Sequence, residues 1–125
     1  MIFKIRTSKK TMDIFSQVGN SENLQPFALS KISIALSLHS KDKLSESDFH
    51  TDNNGLELNR QTITGDYDKL FKCLIEQYEG KALSDDEYLQ KYMKAHLDRG
   101  AKYLLNEFRY GGDFLCNLIN LENSL

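Results

Sequence analysis

Polarity alternates at the start of the chain. In IFKIR, Phe3 and Ile5 face one way while Ile2, Lys4 and Arg6 face the other, which predicts a short strand with one mixed face. Thr7 or Ser8 can cap the helix that follows, where Thr11, Ile14, Phe15 and Val18 recur at helical spacing before Gly19 and Asn20 end it. After the polar turn NSEN, Pro26 stands where a first helical residue loses nothing by lacking an N–H. Phe27, Leu29, Ile32, Ile34, Ala35, Leu36 and Leu38 then cover nearly every side of one helix, which predicts burial in the domain or in an oligomer. Residues 40–54 form a polar connection longer than compact domains usually carry, so it is either functional or mobile.

The stretch GLELNRQTITGDYDKLF, residues 55–71, opens with Leu56 and Leu58 on one face and Glu57 and Asn59 on the other. It reads as an extended arm, either an assembly element or a cover over the chain's own core. Thr64 is the expected cap of a third helix, with Asp66 and Asp68 in its first turn and one stripe of Tyr67, Leu70, Phe71, Leu74, Ile75 and Tyr78, stopped by Gly80. Ser84 to Glu87, SDDE, is a capping box, from which a fourth helix should run to about Tyr110. Leu89, Tyr92, Met93, His96, Gly100, Tyr103, Leu104 and Phe108 line its inner face, and Gly100 predicts the close approach of a neighbouring helix. Gly111 and Gly112 break this helix, and Asp113 caps a short last one with Phe114, Leu115, Leu118 and Ile119 inward. The expected fold is mainly α: a short N-terminal strand, then four to five helices, with a ribbon-helix-helix-like start. The 125 residues suit one domain, made of a ribbon-helix-helix-like part (1–39), a loop and extended arm (40–64) and a helical part (65–125).

Net charge is −2 and changes sign along the chain. Residues 1–43 hold seven Lys and Arg against three acids, and the remaining 82 residues hold nine against fifteen. A basic first third on an acidic body is either a nucleic-acid face or an ordinary solvated surface. Cys73 and Cys116 are far apart and fit no zinc module, so they read as reduced thiols. The N-terminus lacks the apolar stretch of a signal peptide, and no apolar run reaches the length of a membrane span, so a cytoplasmic protein is expected.

Glycine-rich phosphate loops, GxSxG and HExxH are all missing, and the three histidines have no metal-ligand spacing. No catalytic residue, metal or cofactor is therefore expected. His96 lies in an apolar stripe and reads as a hydrogen-bonded core or interface residue, and the adjacent Asp98 and Arg99 as an ion pair on a helix surface or between helices. The capping box accounts for Asp85, Asp86 and Glu87 without a metal, and Tyr88, Tyr92 and Tyr103 are spaced as core or interface residues. What remains is the order strand, helix, helix. In a ribbon-helix-helix arrangement two chains pair their strands, Lys4 and Arg6 point outward, and Ser8, Lys9 and Lys10 offer a helix N-terminus to a phosphate.

Four segments carry a further resemblance: SKKT (8–11), PFALSKISIALSL (26–38), the arm GLELNRQTITGDYD (55–68) and DEYLQKYMKAHLDRG (86–100). Together they resemble the DndE family, DNA sulfur-modification protein E of bacterial phosphorothioation systems, over about residues 3–121. The resemblance implies a small, mostly helical tetramer. It would act beside a cysteine desulfurase, a sulfurtransferase-like enzyme and an ATPase that replace a non-bridging phosphate oxygen of DNA with sulfur. It also implies a non-catalytic subunit that binds duplex DNA, with a preference for nicks, through lysines on a flat face. Lys9 and Lys31 fall where the family pattern carries Lys or Arg; the charge map adds Lys4, Arg6 and Lys10, and Lys41 and Lys43 would widen the patch. Two other readings fit the same residues: a ribbon-helix-helix transcriptional regulator that reads base edges with Lys4 and Arg6, and a scaffold that binds partner proteins without direct DNA affinity.

Overall fold

A computed structural model of the chain describes residues 3–110. The expected break at Gly111–Gly112, the short helix from Asp113 with Phe114, Leu115, Leu118 and Ile119, and the thiol of Cys116 lie outside the described residues. The described chain is mainly helical with one two-stranded sheet.

β1 (Lys4–Arg6) buries Ile5 and exposes Lys4 and Arg6, as its alternation requires. Phe3 departs from that pattern and is 60% exposed. The partner of β1 is β2 (Glu57–Asn59) of the same chain, antiparallel, with Lys4 opposite Asn59, Ile5 opposite Leu58 and Arg6 opposite Glu57. The ribbon-helix-helix order is kept, and within the chain the strand's partner is the arm. Leu58 is buried beside Ile5 in the core cluster, so the arm acts as a cover within the chain. Gly55 makes the entry to this pairing: its N–H donates to the Thr7 carbonyl, and a Cβ there would stand 2.1 Å from the Ser8 carbonyl oxygen.

Ser8 caps α1 (Lys9–Glu22) by accepting the Thr11 N–H, and Thr11, Ile14, Phe15 and Val18 are buried as their spacing predicts. The helix does not stop at Gly19–Asn20. It runs on to Glu22 and ends at Asn23, which takes the left-handed conformation with φ 57°. Gly19 serves packing instead, since a Cβ there would meet the Leu24 carbonyl oxygen at 2.8 Å as the chain turns back. α2 (Pro26–His39) begins at its proline. It is not covered on all sides: Phe27 and Ala35 face solvent, while Ser30, Ser33 and Ser37 join Leu29, Ile34 and Leu36 in burial. The serines are small because α5 presses against them, as Gly100 shows. A Cβ on Gly100 would lie 1.7 Å from the Ser33 carbonyl oxygen.

The third predicted helix is divided. Asn59 caps one helical turn, α3 (Arg60–Ile63); a 3₁₀ turn spans Gly65–Tyr67, and α4 (Asp68–Glu79) follows, ending at Gly80 with φ 75°. Thr64 does not cap through its side chain, because its single hydroxyl proton is shared between the Asp68 carboxylate at 2.7 Å and the Arg60 carbonyl at 3.0 Å. Of the expected stripe only Ile75 is buried, and Tyr67, Leu70 and Leu74 are 67%, 54% and 44% exposed. The capping box forms, with Ser84 N–H on the Glu87 carboxylate and Glu87 N–H on the Ser84 hydroxyl. The helix it starts has π-type hydrogen bonding over Glu87–Met93 and continues as α5 (Lys94–Tyr110). Tyr88, Leu89, Tyr92, Met93, His96, Leu97, Ala101 and Leu104 carry this helix into the core, with Tyr103 and Phe108 half-buried. No helix among the described residues is long and apolar enough to cross a membrane.

Candidate functional site

The N-terminus of α1 is held by a carboxylate from the far end of the chain. Asp98, on α5 and buried, accepts the Ser8 N–H at 3.2 Å and the Thr11 hydroxyl at 2.7 Å on one oxygen. Its other oxygen accepts the Thr51 hydroxyl at 2.7 Å and the Lys94 ammonium at 2.8 Å. Lys94 also donates to the Thr51 hydroxyl and the Asp52 carbonyl. A buried ion pair is tolerable when every remaining lone pair and proton has such a partner. Asp52 adds a second carboxylate to the same helix end: it accepts the N–H groups of Asn54 and Lys9, each at 2.9 Å, and those bonds hold its carboxyl below the usual range.

This narrows the expected phosphate niche. A phosphate at the start of α1 would need free backbone N–H groups. Those of Ser8 and Lys9 already point at Asp98 and Asp52, and that of Thr11 at the Ser8 hydroxyl. The chain supplies its own anions there, and what Lys9 and Lys10 present outward is their exposed side chains.

Arg99 and His96 form a second buried network. The Arg99 guanidinium donates to the Ser37 hydroxyl at 2.8 Å, the Ser37 and Asp42 carbonyls at 2.7 Å and the Tyr78 hydroxyl at 3.0 Å. Asp98 and Arg99 are therefore not partners in one surface pair; adjacent on a helix, they point into separate networks. His96 Nδ1 lies 2.8 Å from the Ser37 hydroxyl, and its Nε2 lies 3.0 Å from the Glu79 carboxylate. Burial first, then the nearby Arg99 charge, push the imidazole down to about 3, while burial raises Glu79. A neutral imidazole with its proton on Nε2 satisfies every contact: Arg99 donates to Ser37, Ser37 to His96, and His96 to Glu79. Serine, histidine and glutamate stand in a line as in a nucleophilic triad, but Ser37 is fully buried and its oxygen is held by Arg99. This line braces α2, α4 and α5 against one another.

The connection at 40–54 is fastened by both networks. A 3₁₀ turn at Glu46–Phe49 is closed by a Ser45–Asp48 capping box, and Phe49 meets Tyr92 edge-on with ring centroids 5.5 Å apart. Lys43 donates to the Tyr78 carbonyl and lies over the Tyr78 ring, so it is committed to this packing rather than to a wider basic patch.

Of the residues singled out from the sequence, Lys4 and Arg6 share a cleft of about 430 Å³ with Ile5, Asn53, Gln90 and Lys94. Lys9 and Lys10 begin α1 just beyond β1, tied to the same loop through Asp52. Lys31 does not line this cleft; it is exposed on α2, with its ammonium 5.6 Å from the Phe27 ring centre. Sequence reasoning missed two residues that shape this region. Glu57 faces Arg6 across the sheet, and Arg60 forks onto both Asp68 and Asp85, with bonds of 2.6 Å and 2.8 Å from one guanidinium nitrogen. Burial pulls Asp68 upward, but Arg60 and the Thr64 and Tyr88 hydroxyls outweigh it and hold it below the usual range. The alternation that exposed Lys4 and Arg6 also exposed Glu57; only the register, joining positions over 50 residues apart, could show that they meet.

The family model of DNA sulphur modification protein DndE matches residues 4–110. The fold is similar to the crystal structure of DndE from Escherichia coli B7A involved in DNA phosphorothioation modification, at TM-score 0.66 and 17% identity, over 81% of this chain and 96% of that one. It is also similar to the crystal structure of a DndE mutant involved in DNA phosphorothioation, at TM-score 0.65 and 16% identity, over 82% and 97%. No curated protein matches the chain.

Proposed function

The chain belongs to the DndE family of DNA sulphur modification proteins, and from that membership we propose that it is a non-catalytic, DNA-binding accessory subunit of a cytoplasmic phosphorothioation machinery. Its partners on this reading are the cysteine desulfurase, the sulfurtransferase-like enzyme and the ATPase that carry out the sulfur chemistry. The observation that carries the DNA-binding part is the outward pair Lys4 and Arg6, side by side in one cleft with the Asn53 and Gln90 amides, and the exposed ammonium groups of Lys9 and Lys10 close behind. Such cations recognise phosphates rather than sequence, so binding follows the duplex backbone; the preference for nicked duplex is taken from the family resemblance alone. Lys31 joins this face only if oligomerisation brings α2 of one protomer beside β1 of another.

We propose a homotetramer as part of the same reading, on two grounds. The uncovered apolar face formed by Leu70 and Leu74 of α4 and by Tyr67 just before it is surface that an assembly would bury. Four copies of the basic segment on one particle also make multivalent phosphate contact from a protomer whose net charge is −2.

The test is fluorescence anisotropy of labelled duplex, nicked and intact, at low and near-physiological salt. Tighter binding to the nicked duplex irrespective of sequence, weakened by salt and by K4Q/R6Q or K9Q/K10Q, is the expected result. A preference for one intact operator sequence would favour the regulator reading. No binding at low salt by an intact oligomer would leave the scaffold reading.

A further inference from the structure

The outer face of the two-stranded sheet contains an anion as well as cations. Glu57 lies directly opposite Arg6 in the register. One of its carboxylate oxygens is 3.7 Å from the Lys4 ammonium and the other 3.8 Å from an Arg6 guanidinium nitrogen. Both separations exceed hydrogen-bond length, and a tight Arg–carboxylate fork would close to about 2.8 Å. The side chains of Lys4, Arg6 and Glu57 are 61%, 55% and 44% exposed, so water and ions reach all three. Lys94, which lines the same cleft, is spent on Thr51, Asp52 and Asp98 and cannot serve as counterion to Glu57.

We infer that Glu57 is an internal competitor for the phosphate-binding cations: it occupies Lys4 and Arg6 in the free protein and yields them to a phosphodiester oxygen of DNA. This rests on the DNA-binding reading above and adds to it the residue that limits affinity. The geometry is suited to exchange. The carboxylate bridges two cations at loose range from the neighbouring strand, where it cancels one of their two charges without locking either side chain. Entering phosphate meets the same two donors and displaces an anion already at hand. Binding by the wild-type chain therefore releases fewer condensed counterions than its lysines and arginines would suggest. The device favours weak, reversible contact with DNA over tight residence.

The test compares the full chain, E57Q, K4Q/R6Q and K4Q/R6Q/E57Q for binding to labelled nicked duplex across a salt series. E57Q should bind about two- to fivefold more tightly at low salt, the range open to exposed ion pairs. Its plot of log affinity against log salt should steepen by about one unit. In the K4Q/R6Q background the same change should have little effect. Equal affinity of E57Q and wild type would overturn the inference, as would an equal gain in the K4Q/R6Q background, which would mark a general charge effect. Failure of every protein to bind at low salt is a different result and would overturn the DNA-binding reading itself. Thermal unfolding of each variant checks that the sheet is intact.

Discussion

The 40–54 connection and helix α4 invert what their composition suggests. Apart from Leu44 and Phe49 the connection is polar, yet Thr51, Asp52 and Lys43, together with Phe49, fasten it to α1, α4 and α5 through a buried carboxylate and two rings. α4 carries an apolar stripe, yet its Leu70 and Leu74, with Tyr67 just before it, are left in solvent. Polarity along a chain reports what a segment can contact, not what it does contact. A polar loop is held when buried charges at fixed points need its hydroxyls and carbonyls. An apolar face stays open when the core is already filled by other elements.

The contrast can be broken most severely at Asp98. D98A leaves the Lys94 ammonium, the Ser8 N–H and two threonine hydroxyls without their acceptor, and should cost about 3–5 kcal/mol of stability in urea unfolding. The connection should loosen with it, read as faster amide exchange at residues 51–54. Next is G100A, which drives a methyl group into the Ser33 carbonyl and should cost about 1–3 kcal/mol in the same assay as α2 and α5 are forced apart.

Acid should act through His96. Its folded-state value near 3 lies below the unfolded value of 6.5, so the unfolded chain binds the proton first. The stability it contributes is full above pH 6.5 and is lost as pH falls towards 3, with a limiting slope of about 1.4 kcal/mol per pH unit. Glu79, raised by burial, acts with the opposite sign and offsets part of this loss near the carboxylate range. H96Q should flatten the limb between pH 6 and 4.5. The smallest effect on the fold is expected on α4: L70S/L74S should change protomer stability by no more than about 0.5 kcal/mol per site. The same variant should lower the oligomer mass in light scattering, which sharpens the contrast by separating an assembly face from a core face.

Local signals were readable in advance where a side chain acts on its own turn. Ser8, Pro26 and the Ser84–Glu87 box each do their work within four positions, and each is where its chemistry predicts. The end of α1 was less legible because Gly19 is reserved for the crossing chain, leaving Asn23 to turn it. The pairing of β1 with β2 and the roles of Asp98, Arg99 and Arg60 depend on partners that no local spacing encodes. The same holds for the candidate site: exposure of Lys4 and Arg6 follows from alternation, but Glu57 beside them and the two carboxylates at the start of α1 belong to the tertiary structure.

Ser8 and Asp98 stand 90 positions apart in the chain. During synthesis, the segment bearing Lys4, Arg6, Lys9 and Lys10 leaves the ribosome long before the carboxylate that anchors it has been made. β1 likewise waits for β2, and the start of α1 for Asp98. The basic segment is made before the residues that fix it in place, so a chain cut short before α5 carries the charges without the carboxylate that anchors them.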